Sequence, residues 1–220
     1  MDPQHLARIA SQWARQHQEQ TRVAIAAMQV VSNGGAVFTS PVRAVETPGI
    51  LLQAVVILGD KTAEGQLVRA VAVPWFEIVR ELQRDPDFAY KLDWRQWEEM
   101  IAGAYQREGG WEVELTPRSG DGGRDVIATR PGIGSVRFFD QVKAYHPGHL
   151  VTADQVRSML GVLTSNPNVS KGIVTTTSDF APGIAKDESI QQFIPHRLEL
   201  KPREPLLAWL AGLVDPPPSR

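Results

Sequence analysis

The apolar residues between positions 93 and 145 change from helical to alternating spacing, and this change constrains the fold more than any other feature. After Asp93, a residue type that often caps helices, large apolar residues recur at helical spacing. They are Trp94, Trp97, Ile101 and Tyr105. Alternating stretches then predict strands over 111–115, 125–129 and 135–145, separated by loops rich in glycine and proline. A helix followed by three strands indicates an α/β fold.

The remaining C-terminal segment continues this alternation of helices and strands. Helical spacing predicts helices over 152–164 and 206–213, and a β-branched run predicts a buried strand over 172–177. The residues after 213 are rich in proline and cannot pack a core. We therefore predict an α/β domain over 89–213 and a disordered tail over 214–220.

The N-terminal segment has a weaker pattern. Residues 3–20 have the spacing of an amphipathic helix, and apolar runs at 36–39, 50–58 and 67–73 suggest short strands. The breaker sequence Asp85-Pro86-Asp87 predicts a domain boundary near residue 88. Residues 1–88 are thus expected to form a small N-terminal α+β domain, with recognition or partner binding as its hypothesised role.

Composition excludes several classes of protein and of site. The 220 residues include no cysteine, which excludes disulfides and thiolate metal sites and favours a hard cation such as Mg²⁺. No apolar run approaches the roughly 18 residues of a membrane span, and the first residues do not resemble a signal peptide, so we expect no membrane contact and a cytoplasmic location. A formal net charge of −2 requires any contact with nucleic acid to be local.

Polar residues capable of metal chemistry lie on two neighbouring predicted strands. Asp125 opens one strand, and Gln141 and Lys143 lie late in the next, on the same face because strand side chains alternate. The carboxylate, the amide oxygen and the backbone carbonyl of Val142 could hold Mg²⁺, for which Mn²⁺ can substitute, while the lysine orients water. Glu98, on the preceding helix, is a candidate fourth group. This set predicts phosphodiester hydrolysis.

Each of these residues also has a structural interpretation. Asp125 alone could be a turn carboxylate after two glycines, and Gln141, Lys143 and Glu98 could each be solvated surface groups. Their joint spacing favours the catalytic interpretation. Asp121, a loop residue, could be either a second metal ligand or a turn former. Four further residues are candidates for DNA contact, although exposed or locally packed side chains would also explain them: Arg118, Arg124, Tyr145 and Lys171.

Four motifs over about residues 92–213 resemble the Mrr-type restriction endonucleases of the PD-(D/E)xK nuclease superfamily. They are Trp97-Glu98, the run from Thr116 to Asp125, Gln141-Val-Lys143, and the run from Lys171 to Thr177 followed by Phe180-Ala181. The resemblance implies a central mixed sheet flanked by helices and a Mg²⁺-dependent nuclease. Asp125, Gln141 and Lys143 match the catalytic triplet, and Glu98 matches the helix glutamate. Glutamine stands where the superfamily usually has an acid, which implies weaker metal binding.

From this resemblance we expect a DNA endonuclease that acts in restriction or phage defence. Two alternatives remain: a weakly catalytic nucleic-acid-binding or assembly module, and a nuclease that acts on RNA or nucleotides. A homodimer is expected, because cutting both strands of a duplex usually requires two active sites. A partner protein from a defence system is a further expectation.

Overall fold

The structure is a computed structural model that describes residues 51, 53–117 and 122–214. The chain divides into two units between Val45 and Glu46, and all described residues belong to the second unit. The helix predicted over 3–20, the strand predicted over 36–39 and residues 215–220 of the predicted tail lie outside the described residues. Val214, the first residue of the predicted tail, is instead helical. No helix in the described ranges is long and apolar enough to cross a membrane.

A seven-stranded mixed sheet runs through this unit, with the strands in the same order in space as in sequence. Strands β1 to β5 are antiparallel to their neighbours, whereas β5, β6 and β7 are parallel. This confirms the predicted mixed sheet. The strands are β1 Val56–Lys61, β2 Gln66–Val71, β3 Glu112–Leu115, β4 Val126–Arg130, β5 Val136–Lys143, β6 Lys171–Thr176 and β7 Leu198–Lys201.

Helices cover both faces of the sheet. The α-helices are α1 Val73–Arg84, α2 Trp94–Glu108, α3 Ala153–Ser165, α4 Glu188–Gln191 and α5 Arg203–Val214, and 3₁₀ helices span Pro86–Lys91 and Pro182–Lys186. One hydrophobic core lies between the sheet and α1, α2 and α5, and a second lies between the sheet and α3. The second core defines the face of the sheet that matters for the site, called here the α3 face.

Helix α2 begins at the predicted cap. The Asp93 carboxylate accepts from the Gln96 backbone N–H at 2.7 Å, and the Gln96 side chain accepts from the Asp93 N–H at 2.8 Å. Trp97 is fully buried, and its indole N–H donates to the Ala89 carbonyl at 3.0 Å. Trp94 is 49% exposed, because it opens the helix and the stripe that packs on the sheet starts three residues later. The cap and the buried tryptophan fix α2 against one face of the sheet.

The structure differs from the predicted boundary near residue 88. Strand β2 pairs with β3 through Gln66 and Leu115, and α1 packs against α5, so residues 56–84 share the sheet and core of the later residues. A two-stranded hairpin cannot bury a face alone, which explains why it joins the larger sheet. Asp85 belongs to the sequence that predicted the domain boundary. Its carboxylate instead accepts from the Asp87 N–H at 3.0 Å and caps the 3₁₀ helix.

Gly65 fixes the β1–β2 hairpin against β3. A Cβ at this position would lie 2.2 Å from the Leu115 carbonyl oxygen, which is backbone and cannot rotate away. We expect Gly65→Ala to lower the free energy of unfolding by about 2 kcal/mol, measured by urea denaturation. Gly161→Ala is the matched control: its added methyl would meet nothing within 4 Å on α3, so it should stabilise by about 1 kcal/mol. Unchanged stability of Gly65→Ala would contradict this close packing.

Candidate active site

Asp125 lies at the entry of β4, where two glycines turn the chain into the sheet. Gly122 and Gly123 have φ angles of 65° and 80°, a region that side chains rarely adopt. The Asp125 N–H donates to the Asp140 carbonyl at 3.0 Å, so its backbone extends the β4–β5 ladder. Its carboxylate is 8% exposed and accepts from the Val142 N–H at 2.6 Å. Asp125 is therefore oriented by a charge-assisted hydrogen bond to β5.

Gln141 and Lys143 extend from β5 on the α3 face, the same face as Asp125. This follows because Ile127 and Phe139, two residues from Asp125 and Gln141 respectively, share the core beneath α3. Gln141 is 8% exposed, and its side-chain oxygen is buried without a hydrogen-bond partner among the described residues. Lys143 is half-buried, and no described carboxylate forms an ion pair with it.

The backbone of β5 also presents an oxygen toward β4. In a strand, the N–H and C=O of one residue point to the same side, and the Val142 N–H points to the Asp125 carboxylate. The Val142 carbonyl therefore points to the same edge of β5, the edge that faces β4. The Lys143 carbonyl points the other way, because it accepts from the Thr177 N–H at 3.2 Å and the Thr176 hydroxyl at 2.9 Å.

Glu98 reaches this end of the sheet from α2. It is 5% exposed, and its carboxylate accepts from Arg95 Nη1 at 2.7 Å. The same nitrogen donates to the Thr116 carbonyl at 3.1 Å, and the Thr116 hydroxyl donates to the Asp125 carbonyl at 3.1 Å. Arg95 and Thr116 thus connect Glu98 to the entry of β4. Sequence reasoning missed Arg95 as a positioning residue, although its i,i+3 spacing from Glu98 is a detectable signal.

The donor set fits a hard cation. Within the described ranges, no group of three or more His, Cys, Asp or Glu residues could hold a metal. The oxygen ligands at the end of the sheet are instead the Asp125 carboxylate, the Gln141 amide oxygen and the Val142 carbonyl, while Glu98 is connected to the entry of β4 through Arg95 and Thr116. An amide oxygen that is buried without a partner costs about 1–3 kcal/mol, and a bound cation would remove that cost. Gln141 is therefore the residue whose environment most favours a ligand.

The candidate DNA-contacting residues Arg124 and Tyr145 both lie close to the predicted catalytic residues in sequence. Arg124 adjoins Asp125, and its guanidinium lies 4.9 Å from the Phe139 ring centroid and 3.6 Å from the Glu64 carboxylate. Tyr145 follows β5, where its N–H donates to the Thr177 hydroxyl at 2.8 Å and its ring lies 4.2 Å from that of His149. Arg118 and Asp121 lie outside the described residues.

Lys171 is not brought to the site. It opens β6, five residues before Thr176, which places it roughly 17 Å along the strand from the end where Lys143 lies. Its ammonium lies 3.2 Å from the Glu199 carboxylate. Lys171 therefore lies at the opposite end of the sheet from the predicted catalytic residues.

Asp140 extends from β5 on the opposite face from Gln141. It is 1% exposed, and the Tyr105 hydroxyl donates to its carboxylate at 3.0 Å. Burial raises the pKa of Asp140 from 3.8 to about 7, an effect that the positive charge of Lys201 opposes. Burial and the neighbouring Asp140 raise the pKa of Tyr105 well above its ordinary value. Asp140 is therefore a buried acid beneath the site, on the side that packs against α2.

Comparison with known proteins identifies a relative of uncharacterised function. The uncharacterised protein y4cE of Sinorhizobium fredii is 27% identical over 148 residues, which cover 64% of this chain and 37% of that protein. The chain thus spans little more than a third of this relative's length.

Solved restriction endonucleases are among the structures similar to this chain. MspJI, solved with a 27-mer oligonucleotide, aligns with a TM-score of 0.38 and 19% identity over 61% of this chain and 30% of its own. AspBHI, a DNA modification-dependent restriction endonuclease, aligns with a TM-score of 0.38 and 19% identity over 84% and 45% of the two chains. FokI aligns with a TM-score of 0.39 and 16% identity over 64% and 27%.

A family model extends over more than half of the chain. The restriction endonuclease model of the Mrr catalytic domain matches residues 89–210, which include all four of the predicted catalytic residues. These residues also include β3 to β7 and the helices α2 to α5, except for the last turn of α5. The chain therefore belongs to the Mrr-type restriction endonuclease family.

Proposed function

We propose that this protein is a Mg²⁺-dependent endonuclease that hydrolyses phosphodiester bonds in DNA. The observation that carries the proposal is the buried Gln141 oxygen, which has no hydrogen-bond partner among the described residues. It lies on the same face and at the same end of the sheet as Asp125 and Lys143. Membership of the restriction endonuclease family supports DNA as the substrate.

Each residue of the site has its own role in the proposed cleavage reaction. Asp125, Gln141 and the Val142 carbonyl would hold Mg²⁺ or Mn²⁺, with Glu98 as a further carboxylate. When bound, the cation stabilises the negative charge that develops on the phosphate in the transition state. The hydrogen bond from the Val142 N–H keeps the Asp125 carboxylate directed toward β5. The Lys143 ammonium orients the attacking water and balances phosphate charge.

Cleavage of plasmid and linear DNA by the purified full-length chain tests the proposal. We expect nicked or linear products in Mg²⁺ or Mn²⁺, and none in EDTA or with Asp125→Ala. Cleavage that persists in EDTA would contradict metal dependence. Cleavage by Asp125→Ala at the wild-type rate would contradict the site.

The identity of residue 141 sets the expected metal affinity. We expect Gln141→Glu to lower the Mg²⁺ concentration for half-maximal cleavage by about tenfold, because a carboxylate binds Mg²⁺ more tightly than a neutral amide oxygen. The measurement is a Mg²⁺ titration of initial rates, with binding followed separately by calorimetry. A higher Mg²⁺ requirement in the variant would place residue 141 outside the metal's ligand set.

A nucleic-acid-binding or assembly module without cleavage is the second candidate function. It is favoured by the lack, among the described residues, of a three-residue cluster of the usual metal-binding side chains. Such a module would retain labelled DNA in a binding assay and give no products with any divalent cation. If cleavage of RNA or nucleotides exceeded cleavage of DNA, the substrate assignment would change but the site would not.

The biological setting is also a proposal. Family membership supports a role in restriction or phage defence, with DNA as the ligand and a homodimer as the form that cuts both strands. The N-terminal residues before Glu46 would then recognise a DNA feature or a partner protein. Analytical ultracentrifugation with and without duplex DNA tests the dimer.

A further inference from the structure

The tip of the β1–β2 hairpin, residues 62–65, lies against the antiparallel half of the sheet. The Thr62 hydroxyl donates to the Glu114 carboxylate, and Gly65 approaches the backbone of Leu115 more closely than any side chain would permit. This hairpin precedes residues 89–210, the range that matches the family model. The tip is thus an element of this chain's fold that lies outside the matched catalytic domain.

Glu64, in this tip, bridges two arginines on the catalytic side of the sheet. Its carboxylate accepts from Arg137 Nη2 through one oxygen, and its other oxygen lies 3.6 Å from Arg124 Nη1. The two guanidinium groups lie 5.3 and 4.9 Å from the centroid of the same Phe139 ring. Arg124 adjoins Asp125 in sequence, and Phe139 lies two residues before Gln141 on the α3 face, so both guanidinium groups lie on the same face as the cleavage centre.

Both arginines of this cluster are largely buried, and Arg124 also donates to the Asn166 side-chain oxygen at 3.3 Å. One carboxylate faces two guanidinium groups, whose side chains are only 23% and 20% exposed. The Nε of Arg137 is buried and lacks a hydrogen-bond partner among the described residues. A buried donor without an acceptor is costly, and guanidinium groups suit the oxygens of a phosphate. The cluster therefore combines a carboxylate shared by two guanidinium groups with one buried Arg137 donor that is unsatisfied among the described residues.

We propose that Arg124 and Arg137 form a binding site for a backbone phosphate of DNA, and that Glu64 occupies this site in the protein without DNA. The inference rests on the proposed function in taking DNA as the ligand. In this arrangement the Glu64 carboxylate competes with the phosphate for the two arginines, so it lowers DNA affinity. The alternative, a purely structural ion pair, predicts that removing the Glu64 charge does not strengthen DNA binding.

The test is the fluorescence anisotropy of a labelled 30-base-pair duplex titrated with the full-length chain at 50 to 200 mM KCl. EDTA is present to prevent metal-dependent cleavage. We expect Glu64→Gln to bind DNA about threefold to tenfold more tightly than wild type. The slope of log K against log salt should steepen by about 0.9, because one more phosphate is neutralised. Glu64→Asp has a shorter side chain and should give part of the increase in DNA affinity. It replaces Glu64→Gln in this assay if that variant does not fold.

Two control variants separate this site from general electrostatics. Glu204→Gln changes the net charge equally at an exposed position on α5, so it should change affinity far less than Glu64→Gln. The double variant Glu64→Gln/Arg137→Gln should lose the gain. If Glu64→Gln binds no more tightly than Glu204→Gln, or if the double variant keeps the gain, the inference is overturned.

The outcomes also distinguish this inference from the proposed function. Wild-type cleavage in Mg²⁺ without a gain for Glu64→Gln would overturn the phosphate site alone. A gain for Glu64→Gln without cleavage in any divalent cation would support the phosphate site and overturn the nuclease. No detectable binding of DNA by any variant would overturn both.

Discussion

We expect Lys143→Ala to lower the rate of Mg²⁺-dependent DNA cleavage by about 100-fold to 1,000-fold, with little change in DNA affinity. The physical reason is that a preorganised positive group near the reacting phosphate acts mainly on the transition state, where charge develops. Lys143 is half-buried on the face and at the end of the sheet where Asp125 lies, and no described carboxylate pairs with it. Single-turnover rates at saturating DNA, together with anisotropy in EDTA, would separate the rate from the affinity.

Lys171→Ala is the matched control for this experiment. Lys171 has the same charge on the neighbouring strand, but it lies at the opposite end of β6 and pairs with Glu199. At saturating DNA its alanine variant should retain the wild-type rate, and a role in DNA contact would appear as weaker binding. Equal losses of rate in both variants would indicate a general electrostatic effect and would contradict a catalytic role specific to Lys143.

The parts of the fold and of the site that could be predicted depend on patterns within short stretches of sequence. Alternating apolar residues predicted β3, β4 and β5, and the structure pairs them as neighbours with Asp125 and Asp140 at one end. The same alternation placed Gln141 and Lys143 on one face. These features follow from residues adjacent in sequence, which is why pattern and motif were sufficient.

The parts that were missed depend on distant residues or on short elements. Glu64 meets Arg137 across 73 residues, and no local pattern in the hairpin indicates that contact. Strand β7 was not predicted because Leu198–Lys201 is only four residues long, although Leu198 and Leu200 alternate with charged residues. Lys171 belongs to a matched motif, yet strand length alone separates it from the site.

Asp140 leads to an expected dependence of stability on pH. Its pKa is about 7 in the folded protein and 3.8 as an ordinary side chain, so folding favours the protonated form. Its contribution to the free energy of unfolding is therefore fully present below about pH 4 and is lost as pH rises to about 7. The shift of about three units corresponds to a loss of up to about 4 kcal/mol.

We expect Asp140→Asn to remove this loss, so the variant should be more stable than wild type at pH 8 and differ little from it at pH 4. Asparagine keeps an acceptor for the Tyr105 hydroxyl. It also adds a donor beside the Thr175 hydroxyl, which lies close enough to Asp140 to lower the pKa of that carboxyl. The measurement is urea denaturation in EDTA from pH 4 to pH 8, and the difference between variant and wild type isolates this group.

Asp154→Asn is the control, because that carboxylate is 91% exposed and its removal should change stability by a similar small amount at every pH. A pH-independent difference between Asp140→Asn and wild type would mean that Asp140 is ionised in the folded protein throughout this range. Its buried charge would then have to be stabilised by Lys201 and Tyr105 more strongly than burial opposes it. In that case Asp140→Asn should be less stable than wild type at pH 8, the opposite of the expected result.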